Sequence, residues 1–329
     1  MGVCRPATVL ITSSGSLVAT AILDSLDGRR EKLRIIGVNS VQPALNDDRL
    51  DGVCAVPPVD SSAFVTELAE VLRRESPDLV IPGRDDDVVA LTAVAGSGLI
   101  AADRLVAGPH ELALALRDTG EAALFAQAHG LPFAETVRTG LATSESDTAH
   151  LLTDSEGPWV IKPTRGQGSR GVYVSWSPTE VQRWAGVPGH VIQPYIGAAP
   201  DRPGDDATAD LAELGPRCDC DLQVVLGAEG QVLGVAVFES LMVEGKVTRV
   251  HALNDRAAHA CAESYAHTLA ALGWRGPVNI QAARPDDGSV RPFEINPRFG
   301  GGTWLRRQAG FDEVGLTLRS FLRSGWSQS

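Results

Sequence analysis

Lysine is almost missing from this chain. Only Lys32, Lys162 and Lys246 occur, so arginine carries nearly all of the basic charge. A lysine that stands beside a glycine-rich stretch is then hard to read as filler. Acidic residues outnumber basic ones, 41 to 29, and the net charge of −12 excludes a chain that tracks a nucleic-acid backbone. It does not exclude a nucleotide ligand, because local groups and metal ions decide that. No apolar run reaches the roughly 20 residues needed to span a membrane. No basic segment followed by a long apolar one opens the chain, so no membrane partner is expected and the cytoplasm is the expected compartment. The five cysteines show no zinc-finger spacing, and Cys218-Asp219-Cys220 is at most half a metal site. Free thiols are the expectation. There is no G-x-G-x-x-G or Walker loop. No Ser-His-Asp or Cys-His set offers a nucleophile.

What is present is an ordinary globular composition, 43% hydrophobic and 21% charged over 329 residues, with room for two or three units. The first hundred residues alternate strand and helix patterns. Apolar runs at Thr8–Ile11, Leu33–Val38, Val53–Val56 and Asp78–Pro82 read as strands. Helical stretches follow the first, with Leu17, Ala21, Ile22 and Leu26 on one face, and span Phe64–Arg74. Such alternation predicts a parallel sheet with right-handed crossovers. The turn Thr12-Ser13-Ser14-Gly15-Ser16 reads as a βα connection whose helix is capped by Ser13 or Ser14. A helical pattern from Glu111 stops at Gly130 and Pro132. Residues 198–217, rich in Ala, Asp, Pro and Gly, predict a surface loop or short helix. Strands near 221–226 and 231–238 form a predicted hairpin, and Ala257–Leu272 a helix.

Three segments carry chemistry. In the first, the strand Trp159–Pro163 delivers Lys162, and the loop from Gly166 to Gly171 follows. Its glycines let backbone N–H groups approach phosphate oxygens, and Arg165 and Arg170 add charge-assisted donors; alone, such a hairpin loop is more often just a loop. The second, Val191-Ile192-Gln193-Pro194-Tyr195-Ile196-Gly197, reads by itself only as a strand and a turn. In the third, Asn279 and Gln281 alternate along one strand, and Glu294 and Asn296 along the next. Residues two apart share a face, so Gln281 faces Glu294 and Asn296 across the hairpin. A carboxylate with two amide oxygens on a strand face suits a hard cation such as magnesium; otherwise Asn296 merely begins a turn before Pro297.

Lys162 before a glycine-rich loop, a hinge strand, and then N-I-Q with F-E-I-N-P-R-F-G-G-G together resemble the ATP-grasp superfamily. The resemblance is nearest to the branch that holds the carbamoyl phosphate synthetase large subunit and its small stand-alone relatives. It implies an α/β fold in three parts. Residues 1–112 would form a Rossmann-like pre-ATP-grasp domain, 113–194 the small or lid subdomain of the grasp, and 195–329 its C-terminal subdomain with the metal site. It implies an enzyme that activates a small-molecule carboxylate as an acyl phosphate, joins it to an amine, and releases ADP and phosphate. Amino-acid-like substrates are expected. A carboxylate kinase that stops at the phosphorylated product, or a non-catalytic nucleotide-binding protein, are the alternatives.

Residue by residue, the resemblance places Lys162 at the α-phosphate and adenine edge of ATP, and the loop Gly166–Gly171, with Gly166, Gly168 and Ser169, over the β- and γ-phosphates. Gln193, Tyr195 and Ile196 would lie at the adenine, and Asp219, or else Asp221, at the ribose. Gln281, Glu294 and Asn296 would hold two Mg2+ ions, for which Mn2+ can substitute, with Glu294 bridging. Glu294 and Arg298 become the catalytic pair, Arg298 stabilising the transferring phosphoryl group. Arg298, Gly301 and Gly302 would meet the substrate. The chain departs from the pattern at Thr119, where relatives carry a basic residue that Arg117 would replace, and at Gln193, where they carry glutamate. The 198–217 insertion also separates the hinge from the ribose acid, and is expected to act as a substrate lid or else to be a disordered loop. Relatives are often dimers, so a homodimer is expected.

Overall fold

The computed structural model describes residues 5–202, 204 and 207–322. Met1–Cys4, and with them the start of the opening segment, lie outside the described residues, as do 203, 205 and 206 of the 198–217 insertion.

The N-terminal sheet is parallel. Its strands are β1 (Ala7–Thr12), β2 (Leu33–Asn39), β3 (Gly52–Ala55) and β4 (Leu79–Ile81), in the order β3-β2-β1-β4. Near-continuous apolar runs suit strands covered on both faces. Val9, Ile11, Ile35, Leu79 and Ile81 accordingly join one core, and Leu10, Ile36, Val38 and Val80 another. The first helix, Leu17–Ser25, is capped by Ser16, whose hydroxyl accepts from the Ala19 N–H at 3.1 Å. Neither Ser13 nor Ser14 caps it. Ser13 takes a left-handed φ of 45°, and Ser14 is buried in the turn beside Gly37. Leu17 also departs from its expected apolar face: it is half exposed, at the edge of the cleft described below.

The long helical pattern from Glu111 divides into His110–Arg117 and Thr119–Ala128. Asp118 breaks it, because its carboxylate accepts from the N–H groups of Gly120 and Glu121 and so starts a new helix.

A second sheet holds β5 (Val137–Arg138), β6 (Trp159–Pro163), β7 (Tyr173–Ser175), β8 (His190–Pro194) and β9 (Thr208–Asp210). They pair antiparallel in the order β5-β8-β6-β7-β9. The 198–217 insertion therefore contains an edge strand as well as loop, with a 3-10 turn at Leu211–Glu213. Val137, Leu151, Trp159, Ile161, Val181 and Ile192 form the core of this part.

The third sheet holds β10 (Arg217–Leu226), β11 (Val232–Val243), β12 (Lys246–Ala252), β13 (Gly276–Ala283) and β14 (Arg291–Asn296), in the antiparallel order β12-β11-β10-β13-β14. Period-two alternation sorts it into two faces. Cys220, Leu222, Val224, Val278, Ile280, Ala282 and Ile295 pack into the main core with the helix Arg256–Ala271. Asp219, Asp221, Gln223, Asn279, Gln281, Glu294 and Asn296 alternate with them and take the opposite, polar face. No described helix is long and apolar enough to cross a membrane.

Candidate functional site

A cleft of about 1340 Å³ opens between β6 and β8 of the second sheet and the polar face of the third. It runs on to the turns after β1 and β4, and is larger than one drug-sized ligand requires. Lys162, Gly166, Gly168, Ser169, Gln193, Tyr195, Ile196, Asp219, Gln281, Glu294, Asn296, Arg298 and Gly301 all line it. The fold thus brings together residues spread over some 140 positions of sequence. Gly302 does not face the cleft. It is buried, and a Cβ there would come within 2.9 Å of the Arg306 guanidinium. Of the two acids considered for the ribose, Asp219 faces the cleft while Asp221 is buried beneath it.

On the upper wall, Lys162 is buried, donates to the Phe293 carbonyl at 2.9 Å and lies over the Phe293 ring. Burial pushes its pKa below the ordinary lysine value, opposed by the nearby carboxylates of Glu294 and Asp219. Gln193 donates through its amide nitrogen to Thr136 at 2.9 Å and to the Phe293 carbonyl at 3.5 Å, so that nitrogen is committed inside the protein. The Tyr195 N–H is committed too, to the Pro158 carbonyl at 2.8 Å. The glycine loop takes left-handed φ at Gly168 and Gly171 and also at Ser169. It rests on the β11–β12 turn, where a Cβ on Gly245 would lie 2.6 Å from the Gly168 oxygen. Thr119 and Arg117 both reach the cleft; Arg117 binds Asp86 at 2.8 Å and reaches the Gly166 carbonyl at 3.4 Å.

The lower wall is set by register. Gln281 pairs with Glu294, and Asn279 with Asn296, across β13 and β14. Asp221 pairs with Gln281 on the other side. The side chains of Gln281 and Glu294 take no hydrogen bond among the described residues, which leaves their oxygens free. Asn296 accepts from Arg298 at 3.0 Å. Asp219 lies 3.4 Å from Arg217, and its Oδ2 is buried without a partner. Burial pushes its carboxyl up to about 6, against the pull of Arg217 and with the Asp221 and Glu294 charges adding to the rise.

Several groups come to light only in three dimensions. Asp85, at the start of the helix Asp85–Gly96, binds Arg298 at 2.5 Å. Arg298 also donates to the Phe299 carbonyl. The acidic run Asp85-Asp86-Asp87 after a βα turn is a weak sequence signal for this role. Arg306 carries no sequence signal at all. It is wholly buried, binding Glu313 at 2.9 Å and Thr303 at 3.3 Å, with Asp221 at 3.7 Å. Among the described residues, no group of three His, Cys, Asp or Glu side chains forms a metal cluster. Cys220 is buried and Cys218 exposed, and both are free.

No protein-family model matches the chain, and no curated protein matches it in sequence. Solved structures do. N5-carboxyaminoimidazole synthetase from Staphylococcus aureus, complexed with ADP, superposes with a TM-score of 0.73 at 11% identity, covering 100% of this chain and 80% of its own. The biotin carboxylase domain dimer of Hydrogenobacter thermophilus 2-oxoglutarate carboxylase, in complex with MgADP, ADP and bicarbonate, gives 0.71 at 13% identity, covering 97% and 70%. L-amino acid ligase from Bacillus licheniformis gives 0.66 at 17%, covering 97% and 75%. At such identities the likeness is one of architecture, and the chain has the ATP-grasp fold.

Proposed function

We propose that this protein is an ATP-dependent carboxylate–amine ligase that works through an acyl phosphate. The observation that carries this reading is the single cleft with Lys162 and a glycine loop on one wall, and Glu294, Gln281, Asn296 and Arg298 on the other. ATP would lie between the second and third sheets, its phosphates under the loop Gly166–Gly171 and beside Lys162 and Ser169. Because the Gln193 amide nitrogen and the Tyr195 N–H are committed internally, the adenine donors and acceptors would be read chiefly by the Ile196 backbone. Asp219, which lines the cleft, would meet the ribose.

The lower wall fits magnesium. Glu294 and Gln281 present unpartnered oxygens on one face, and Asn296 adds an amide oxygen, the hard donors that this cation prefers. These three would hold it, and when bound it neutralises phosphate charge. The protein's own work is positioning and charge stabilisation, which phosphoryl transfer needs more than a protein nucleophile. In this scheme the substrate carboxylate takes the γ-phosphoryl group and ADP leaves. An amine then attacks the acyl carbon, phosphate leaves, and the amine gives up a proton. Arg298 would face the charge on the transferring group, and the turn at Gly301 the acyl oxygen. The structural neighbours, a synthetase, a carboxylase and an amino acid ligase, support amino-acid-like or other small carboxylates.

The test is ADP release with ATP and magnesium, over a panel of carboxylates and amines supplied singly and in pairs. Turnover that needs one particular pair is the expected result. Release with a carboxylate alone would replace the ligase with a kinase. The Glu294→Ala variant should turn over on the order of a thousandfold more slowly. Near-normal turnover in that variant would remove Glu294 from the site.

A further inference from the structure

The third sheet contains a buried ionic cluster that the proposed chemistry does not use directly. Asp221, Arg306 and Glu313 are 2%, 1% and 0% exposed. Arg306 Nε donates to Glu313 Oε1 at 2.9 Å, its Nη2 donates to Thr303 Oγ1 at 3.3 Å, and its Nη1 lies 3.7 Å from Asp221 Oδ2. Gln223 donates to the second oxygen of Glu313, and Ser240 donates to Asp221 at 2.5 Å. Burial raises both carboxyl groups above their ordinary range, and the arginine opposes the rise. Desolvating three charges is costly before they pair, and apolar replacements of such clusters are often as stable. Stability alone is therefore a poor reason for this one.

Its position supplies a better reason. The guanidinium fills the space directly under the turn that follows Arg298. A Cβ on Gly300 would lie 2.9 Å from Arg306 Nη2, and one on Gly302 would lie 2.9 Å from Nη1. Around Gly301 nothing stands within 4 Å, and that residue is open to the cleft. Gly300 donates to Thr303, which Arg306 also holds. Arg298 donates to the Phe299 carbonyl in the same turn. On its other side Arg306 reaches Asp221, which pairs in register with Gln281 of the proposed metal face. One planar fork thus ties the turn that follows Arg298 to β10, the strand next to the one bearing Gln281.

We propose that Arg306 is a positioning residue, which sets the 299–302 turn and Arg298 at a fixed height over the sheet so that the carboxylate substrate is held in line with the phosphates. The glycines of the turn are then required from below, by the guanidinium, as well as from the ligand side. This inference rests on the ligase reading above.

Two variants test it. Arg306→Lys keeps the charge but cannot span Glu313, Thr303 and Asp221 together. The triple variant Asp221→Asn, Arg306→Met, Glu313→Gln removes the ions without leaving any one of them buried and alone. Both should stay folded, with a nucleotide Kd within about threefold of the parent, while kcat/KM for the carboxylate falls by about a hundredfold. A merely structural role would shift melting temperature and nucleotide affinity together and leave no such split. Amide hydrogen exchange on the unliganded protein gives a readout independent of turnover: exchange should quicken in 299–305 and stay unchanged in β13. If the parent turns over no pair of substrates, the ligase reading fails while exchange still tests the clamp. Parental carboxylate kinetics in the triple variant, or unaltered exchange in the turn, would overturn the proposal.

Discussion

At the scale of single residues, the third sheet shows how much alternation alone can place. Asn279, Gln281, Glu294 and Asn296 stand two apart on predicted strands, and the pleat puts each pair on a common face. The register that sets Gln281 against Glu294 needs more than the turn between them: a bulge between Gln281 and Ala282 shifts the pairing by one residue, without which Gln281 would face Phe293. Asp219 is legible in the sequence only as one of two acids after the insertion, since nothing local separates it from Asp221. Depth in the cleft separates them. Its folded pKa of about 6 lies above the ordinary 3.8 because burial outweighs Arg217. The native state therefore binds more protons than the unfolded chain between about pH 4 and 6. The contribution to stability is full below about pH 4 and is lost as pH rises through about 6. Ligand-free Asp219→Asn should accordingly gain stability relative to the parent on going from about pH 4 to 7, by up to about 3 kcal/mol. Thermal melts of the two proteins across that range would show the gap opening. A gap independent of pH would mean that Asp219 titrates as an ordinary surface acid.

At the scale of elements, the predicted strands and helices mostly fall where the apolar periodicity puts them, and each exception has its own physical cause. Asp118 splits a continuous helical pattern because its side chain competes for backbone N–H groups, an effect that periodicity does not measure. Ser16 rather than Ser13 or Ser14 caps the first helix, because Ser13 bends left-handed and Ser14 is drawn inward. The 198–217 insertion yields a strand, β9, since the unpaired edge of β7 was available to it and only the assembled sheet shows that edge. The glycine loop 166–171 belongs to this scale as well. Its rest position depends on Gly245, which has φ 73° and stands where a Cβ would strike the Gly168 oxygen. Gly245→Ala touches no proposed ligand. It should nonetheless weaken nucleotide affinity by about tenfold through displacement of the loop, at a stability cost of about 1 kcal/mol for the left-handed alanine. Titration with a fluorescent ATP analogue would report the change. Parental affinity would show that the loop is held from elsewhere.

For the whole molecule, the N-terminal parallel sheet borders the proposed site, because Asp85 from its last βα turn reaches Arg298 beside the third sheet. Asp85→Asn removes the countercharge from a mostly buried guanidinium. Turnover should fall by at least about tenfold, since an unpaired buried charge is free to seek other partners. Nucleotide affinity, proposed to rest on Lys162, the glycine loop, Ile196 and Asp219 rather than on Asp85, should hold. Steady-state kinetics beside nucleotide titration would separate these, and equal loss in both would assign Asp85 to folding. By itself the sequence determined the strand–helix alternation of the parallel sheet, the lysine strand with its glycine loop, and the polar face of the last hairpin. Each rests on local periodicity or on spacing within a few residues. The tertiary structure alone decided that Asp219 rather than Asp221 meets the cleft, that Asp85 holds Arg298, and that Arg306 lies under the glycine turn. Those contacts join residues far apart in the chain, and their partners are chosen by burial and packing, which act only once the sheets have come together.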